Sequence, residues 1–510
     1  LSMGILLNFV TGKKLLTKGK NLTNYNLFFS IGLFIFIAVS YLMLSYTLSR
    51  SAILAMWICF AIFFGYFFWI FVRPKFNKTK INLDFKFAVA LVIIFAAITF
   101  VRGSPFPFLN NFTLSAVTSY FTTQIKPLGK NSVPAKVAVT PTPAPKSTGE
   151  LGGTDSGVIR KYVWIGAINI WKHYPVLGSG LETYAFAYYQ YRPQGHNLTS
   201  EWNFLYNKAH NEYLNYLATT GTLGIATYLF MIGSFLFISF KFLFKNIKNP
   251  SKTGLLIASL VTGYGGILIS NFFGFSVVMV NILFYLIPAF VLIEAGLINF
   301  DKHFGFSLSG NKKDIYVLSN PQKGLIGASL LIGLYLIFVL SRFWIADRYY
   351  YLGYNYDRTG DYQKAYQYLS QAVNIRPSEP VFRDELSLNN AILASSLLYQ
   401  NQTKPDEKNL NLAKQLVDSA ITLSNKLIAD DPNNIVTWKT RVRVLYTLSQ
   451  VDQTYLPQTL EAIKKAQTLA PTDADVSYNL GVLYGQTGNL KKGVEILENT
   501  VKLKPDYNNA

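Results

Sequence analysis

Cysteine, histidine and acidic side chains are all scarce in this chain. Its one cysteine, Cys59, lies inside an apolar run, so neither an internal disulfide nor a thiolate metal cluster is available, and redox compartment cannot be read from cysteines. Three of the four histidines, His173, His196 and His210, share one stretch without metal-ligand spacing, and no H-E-x-x-H occurs. Nucleotide loops are missing too. Gly178-Ser179-Gly180 is too short for a dinucleotide loop, and nothing matches G-x-x-x-x-G-K-[ST]. Asp and Glu number 27 against 47 Lys and Arg, and charged residues make up only 15% of the chain. A soluble protein carries about a quarter, so the shortage already points to a membrane protein.

What is abundant agrees: half of the residues are hydrophobic and 15% are aromatic. Seven stretches, about 27–48, 51–72, 86–101, 223–243, 253–271, 277–298 and 324–342, have the length and apolarity of membrane helices. The net charge of +20 is unevenly placed. From residue 343 onward 18 basic residues balance 18 acidic ones, so the whole excess falls on 1–342. Nucleic acid is not the implied partner, because these lysines cluster beside apolar spans, where they set topology and meet anionic lipids.

Four basic clusters decide the orientation. Lys13, Lys14, Lys18 and Lys20 precede the first span, and Arg73, Lys75, Lys78 and Lys80 follow the second. Lys241, Lys245, Lys248 and Lys252 separate the fourth and fifth, and Lys302, Lys312, Lys313 and Lys323 precede the seventh. Alternating spans put all four on one side, which the positive-inside rule assigns to the cytoplasm. The 102–222 loop and everything after 342 then face outward. The chain opens Leu1-Ser2-Met3 with no signal-peptide pattern, which predicts a piece lacking its true N-terminus.

The outer loop has two parts. A Pro/Thr-rich insertion at about 126–156 reads as extended and flexible. Residues 157–222, with Trp164, Trp171, Trp202 and many tyrosines, suit short helices on the membrane face. The C-terminal part repeats itself. Leu352-Gly353, Tyr356, Gly360-Asp361 and Pro377 recur 128 residues later as Leu480-Gly481, Tyr484, Gly488-Asn489 and Pro505, and Pro471 lies 34 residues before Pro505. That period and the Leu-Gly-x-x-Tyr core resemble tetratricopeptide repeats, with three to five helical pairs expected. Such arrays are binding surfaces or spacers.

His210 stands at the mouth of the fourth span, beside Asn211, which can hydrogen-bond it or a substrate. An unperturbed imidazole titrates near 6.5 and can take a proton at neutral pH, although a lone histidine is more often structural. Arg50 occupies the tight outer turn between the first two spans, against the topological bias. Its fork suits phosphate oxygens, with snorkelling to lipid headgroups as the alternative. Arg160 and Lys161 open the aromatic half of the loop; such a pair is usually solvated. Glu182, Glu201 and Glu212 are possible acids or bases, though surface carboxylates normally are not.

Together these residues resemble the bacterial O-antigen ligase and polymerase family of polytopic glycosyltransferases. The family pattern is His-Asn, nine residues, then Gly-x-x-Gly, matched by His210-Asn211 and Gly221-Thr222-Leu223-Gly224. Its Arg-x-x-x-Leu at an outer helix boundary is matched by Arg50 to Leu54, and its loop arginine before a Pro-x-x-Gly-x-Gly turn by Arg160, Pro175, Gly178 and Gly180. The resemblance covers about 27–300. Family ligases have more spans ahead of the large outer loop, where this chain has three, so N-terminal helices are expected to be missing.

The resemblance implies transfer of a glycan from an undecaprenyl-diphosphate-linked donor to a hydroxyl on a glycan, lipid or protein acceptor, outside the cytoplasm. It implies that Arg50 and Arg160 hold the diphosphate and that His210 is catalytic, with Asn211, Gly221 and Gly224 supporting. Transfer is inverting and needs neither metal nor cofactor. Ligase, repeat-unit polymerase and protein O-oligosaccharyltransferase all remain open, and the repeats could hold a protein partner. A reading of another class is a non-enzymatic membrane-anchored scaffold with the repeats as its working part. The expected fold is all-α: a polytopic α-helical membrane domain at 1–343 with about seven spans and the outer loop at 102–222, followed by an extracytoplasmic α-solenoid of tetratricopeptide-like repeats at 344–510. The expected location is the bacterial cytoplasmic membrane.

Overall fold

The structure, a computed structural model, describes residues 22–47, 49–71, 82–103, 113–115, 153–246, 252–298 and 320–510. Most of the Pro/Thr-rich insertion and most of the basic clusters lie outside them. Among the described residues the chain is all-α, with sixteen helices and no strand. These are α1 (Leu22–Tyr46), α2 (Arg50–Phe71), α3 (Asn82–Arg102), α4 (Ser156–His173), α5 (Tyr184–Tyr191), α6 (Glu212–Lys245), α7 (Lys252–Phe273) and α8 (Val278–Glu294). They continue as α9 (Asn320–Thr359), α10 (Tyr362–Ile375), α11 (Pro380–Thr403), α12 (Glu407–Asp430), α13 (Ile435–Ser449), α14 (Leu456–Leu469), α15 (Ala474–Gln486) and α16 (Leu490–Leu503). Two compact units result, one of 1–147, 171–181 and 208–303, the other of 148–170, 182–207 and 304–510.

Each of the seven apolar stretches is a helix. Arg50–Trp69, Glu212–Lys245, Thr253–Phe273 and Lys323–Thr359 are long and apolar enough to cross a membrane, whereas Ile31–Tyr46, Val89–Arg102 and Val278–Glu294 are shorter. In the first unit, α6, α7 and α8 are joined by an aromatic column. Tyr216 stacks on Tyr228 at 4.3 Å, Tyr264 on Phe284 at 5.0 Å, and Phe235 meets Tyr264 edge-on at 4.7 Å. Between apolar helices in lipid such directional packing replaces the missing hydrophobic drive. Phe63 and Phe67 of α2 join the same cluster, and a Cβ on Gly266 of α7 would lie 3.2 Å from Cys59 Sγ of α2. α1 and α3 form a second cluster around Tyr41 and Phe95, whose rings stack at 4.1 Å. A 2.6 Å hydrogen bond between the Tyr41 and Thr99 hydroxyls accompanies it.

In the second unit, the boundary expected at 343–344 falls inside α9, a 40-residue helix that runs on without a break. None of its most apolar window is buried by protein, as a lipid-facing helix requires. Its far end pairs with α10, and α11 with α12, α13 with α14 and α15 with α16 follow, giving four helical pairs. The 128-residue recurrence has a geometric cause. A Cβ on Gly353 would press on Leu369, and one on Gly481 on Leu497. Gly360 and Gly488 turn the chain at φ 81° and 85°. Asp361 and Asn489 then cap the next helix by accepting from the Lys364 and Lys492 amides at 3.2 and 3.3 Å.

The described residues 153–170 and 182–207 belong with the repeats. α4 buries Ile159, Val163, Gly166, Ala167 and Ile170 on one face, and Tyr184 on α5 donates to the Val163 carbonyl at 2.9 Å. Beyond α5, the Arg192 guanidinium is 4% exposed. It donates to the Trp202 carbonyl at 2.7 Å, Asn197 Oδ1 at 2.9 Å and the Thr472 carbonyl at 3.1 Å. Asn197 Nδ2 donates to the Thr472 carbonyl at 2.8 Å, and Lys504 Nζ to the Asn197 carbonyl at 3.0 Å. Asn203 donates to Asp475 at 2.7 Å, and Tyr507 packs edge-on to Trp202 at 5.7 Å. The loop and the last repeats thus share one polar core.

Candidate functional site

α6 is two helices joined at one residue. Gly221 has φ 66° and ψ −168°, so the segment 212–220 ends there and the long apolar helix begins after it. A helix end leaves carbonyls without partners and a helix start leaves amides without them. The turn 175–180 satisfies both sets. Ser179 and Gly180 amides donate to the Ala218 and Thr219 carbonyls at 3.0 and 2.9 Å, while Thr222 and Leu223 amides donate to the Pro175 and Val176 carbonyls at 2.8 and 3.2 Å. Trp171 Nε1 donates to Thr222 Oγ1 at 2.9 Å, which itself donates to the Pro175 carbonyl at 2.7 Å. A Cβ on Gly178 would strike the backbone of Thr219–Gly221, and one on Gly221 would strike Val176 and Gly178. The two glycine motifs are therefore halves of one backbone lock. Gly224 is kept small by the Thr220 side chain.

One short helix away, His210 takes φ 52°, and with Glu182 it is one of two described non-glycine residues at positive φ. Such a backbone costs about 1–3 kcal/mol and persists where the surroundings over-determine it. Those surroundings are specific. Asn211 caps the helix, its Oδ1 accepting from the Leu214 amide at 3.0 Å. The Ala209 amide donates to Asn215 Oδ1 at 3.3 Å. The half-buried His210 ring meets Phe275 edge-on at 5.3 Å.

Phe275 lies on the connection between α7 and α8, and that connection is tied to the same helix start. Glu212, only 7% exposed, accepts from the Ser276 amide at 3.3 Å, and the Ser276 hydroxyl donates to Asn271 Oδ1 at 2.9 Å. Glu212 is a buried structural acceptor more than the surface carboxylate expected of it. Phe275, Ser276 and Asn271 went unnoticed in the sequence. Asn271, a lone amide closing an apolar helix, was the available signal.

Arg50 is the exposed first residue of α2. Ser49 ahead of it supplies the cap, its Oγ accepting from the Ala52 amide at 3.3 Å. Arg160 belongs to the second unit, half-buried on α4. Its charge reaches Tyr206, whose hydroxyl donates to the Glu201 carboxylate. Burial first, and then that bond, hold the Tyr206 proton on, against the pull of Arg160. His196 is fully buried; Tyr188 Oη lies 2.5 Å from its Nδ1 and the Glu201 carbonyl 3.2 Å from its Nε2. Burial, then the Arg192 charge, lower its pKa to about 4, so it is a neutral core histidine.

Residues 33–229 match the family model described as O-antigen ligase. The chain carries an O-antigen ligase domain. The matched region contains Arg50, Arg160, His210 and both glycine motifs. Residues 346–379 and 474–507 match tetratricopeptide repeat models, and the first of these begins within α9. No curated protein matches the chain. A ligase domain with apolar helices and repeats marks a membrane protein of the glycan-transferring class.

Proposed function

We propose that the ligase domain transfers a glycan from undecaprenyl diphosphate to an acceptor hydroxyl at the outer face of the cytoplasmic membrane. The His210 lead-in carries this reading: an imidazole held in a strained backbone conformation at the start of a helix, with the glycine lock fixing the far end of that helix. In the proposed step His210 accepts the hydroxyl proton, the acceptor oxygen forms a bond to the anomeric carbon with inversion, and the bond from that carbon to the diphosphate breaks. Undecaprenyl diphosphate leaves with both bonding electrons. Arg50 and Arg160 bind the diphosphate and neutralise the charge that grows on it. Arginines in that role make a metal unnecessary.

The ends of α6 support the topology. The part of α6 beyond Gly221 spans about 36 Å at 1.5 Å per residue, so a crossing helix there has the His210 lead-in at one end and Lys241 and Lys245 at the other. The positive-inside rule favours the orientation with those lysines inside and His210 outside. Polymerase and protein-transfer chemistry use the same step with other acceptors. Transfer from a synthetic lipid-diphosphate glycan by purified protein, compared with His210→Ala, tests the assignment.

A further inference from the structure

The second unit holds a groove of about 660 Å³ whose walls come from two parts of the chain. Tyr189 and Asn203 belong to the outer loop, within the region matched as O-antigen ligase, while Arg443, Tyr446, Asp475 and Tyr478 belong to the repeat helices α13 and α15. The volume falls in the range of small-ligand sites, roughly 300–1,000 Å³. Its shape is set in advance, because Asp475 accepts from Asn203 at 2.7 Å and from the Tyr507 hydroxyl at 2.6 Å, and because Arg192 and Lys504 fix the loop on the last repeats.

Tyrosines offer an apolar ring with a polar tip, and the groove has three of them beside an exposed amide, a carboxylate and a guanidinium. Arg443 is exposed at the rim and donates to Thr440 Oγ1 at 3.4 Å. Tyr446 Oη accepts from Gln486 at 3.1 Å. Rings, donors and acceptors together suit a ligand whose faces are apolar and whose edges are hydroxyls. A partner docking on the repeats alone would not need loop residues from the ligase domain in its site, whereas a substrate of that domain would.

We propose that this composite groove binds the glycan chain, a short oligosaccharide segment of it at a time. The proposal rests on the transfer reading, since the glycan is the one substrate common to ligase, polymerase and protein-transfer chemistry. The repeats then hold the polymer that the ligase domain joins, and long chains gain more from them than short ones.

The test uses full-length protein in nanodiscs on a printed panel of bacterial surface oligosaccharides, with a peptide panel alongside. Wild type is expected to retain oligosaccharides, Tyr478→Ala and Arg443→Ala each to weaken retention at least tenfold, and Gly233→Ala, where nothing lies within 4 Å of the added carbon, to bind as wild type does. Arg443 is exposed, so its variant does not depend on refolding of the groove. Retention of no oligosaccharide, equal retention by the groove variants, or capture of peptides in place of glycans would each overturn the proposal. Binding without any transfer by wild type would sink the transfer reading and leave the glycan groove standing; transfer without glycan retention would do the reverse.

Discussion

Gly178 and Gly221 approach each other so closely that a side chain on either would enter the backbone of the other. Both also sit at positive φ, 72° and 66°. Their contact closes the lock that ends the short helix behind His210, so a motif position without chemistry of its own fixes where the imidazole stands. Gly221→Ala has both penalties, a strained φ worth about 1–3 kcal/mol and a backbone clash. It is expected to lower the detergent-solubilised midpoint of unfolding by several degrees and to remove most transfer. Gly233→Ala, where nothing lies within 4 Å of the added carbon, serves as the neutral control.

Arg192 predicts a different failure. Its loss takes the donor from the Trp202 carbonyl and from Asn197 Oδ1 in a buried place, at about 1–3 kcal/mol for each acceptor left unsatisfied, and leaves the Thr472 carbonyl with Asn197 Nδ2 alone. Amide exchange in α5, in Gln194–Leu198 and in α16 of Arg192→Ala is expected to rise at least tenfold, with exchange in α11 and α12 unchanged. Exchange at the wild-type rate throughout would mean that the guanidinium does not hold the loop.

Acid is expected to loosen the same region. An unfolded imidazole takes its proton near 6.5, and His196 in the fold only near about 4. The neutral, buried form therefore contributes fully above pH 6.5. That contribution falls away as pH drops from 6.5 toward 4, by about 3 kcal/mol in all. Unfolding of the second unit, followed by tryptophan fluorescence between pH 7.5 and 4, should show this loss in wild type and a flatter profile in His196→Gln.

Much of this was legible in the chain, and the boundary of legibility is physical. Apolar runs announce helices, because a span must satisfy its backbone internally, and all seven expected stretches are helical. The His210 to Gly224 spacing and the Leu480-Gly481 recurrence are local patterns, so they were readable as well. What stayed hidden were pairings between distant segments. Nothing near Gly178 says that its neighbour is Gly221, nor does anything near Arg192 point to Thr472, 280 residues away. The continuity of α9 was hidden for a related reason: the polar turn of composition near 343 reads as a boundary, but the helix runs on through it to Thr359.

Initial rates of glycan transfer from a lipid diphosphate to an acceptor, with wild type and His210→Ala at equal levels in nanodiscs, test the account most directly. A general base contributes about 10²–10⁴-fold, so the variant should be slower by at least a hundredfold in kcat, with donor KM little changed and the unfolding midpoint preserved. A variant that transfers glycan at the wild-type rate would contradict the assignment of His210.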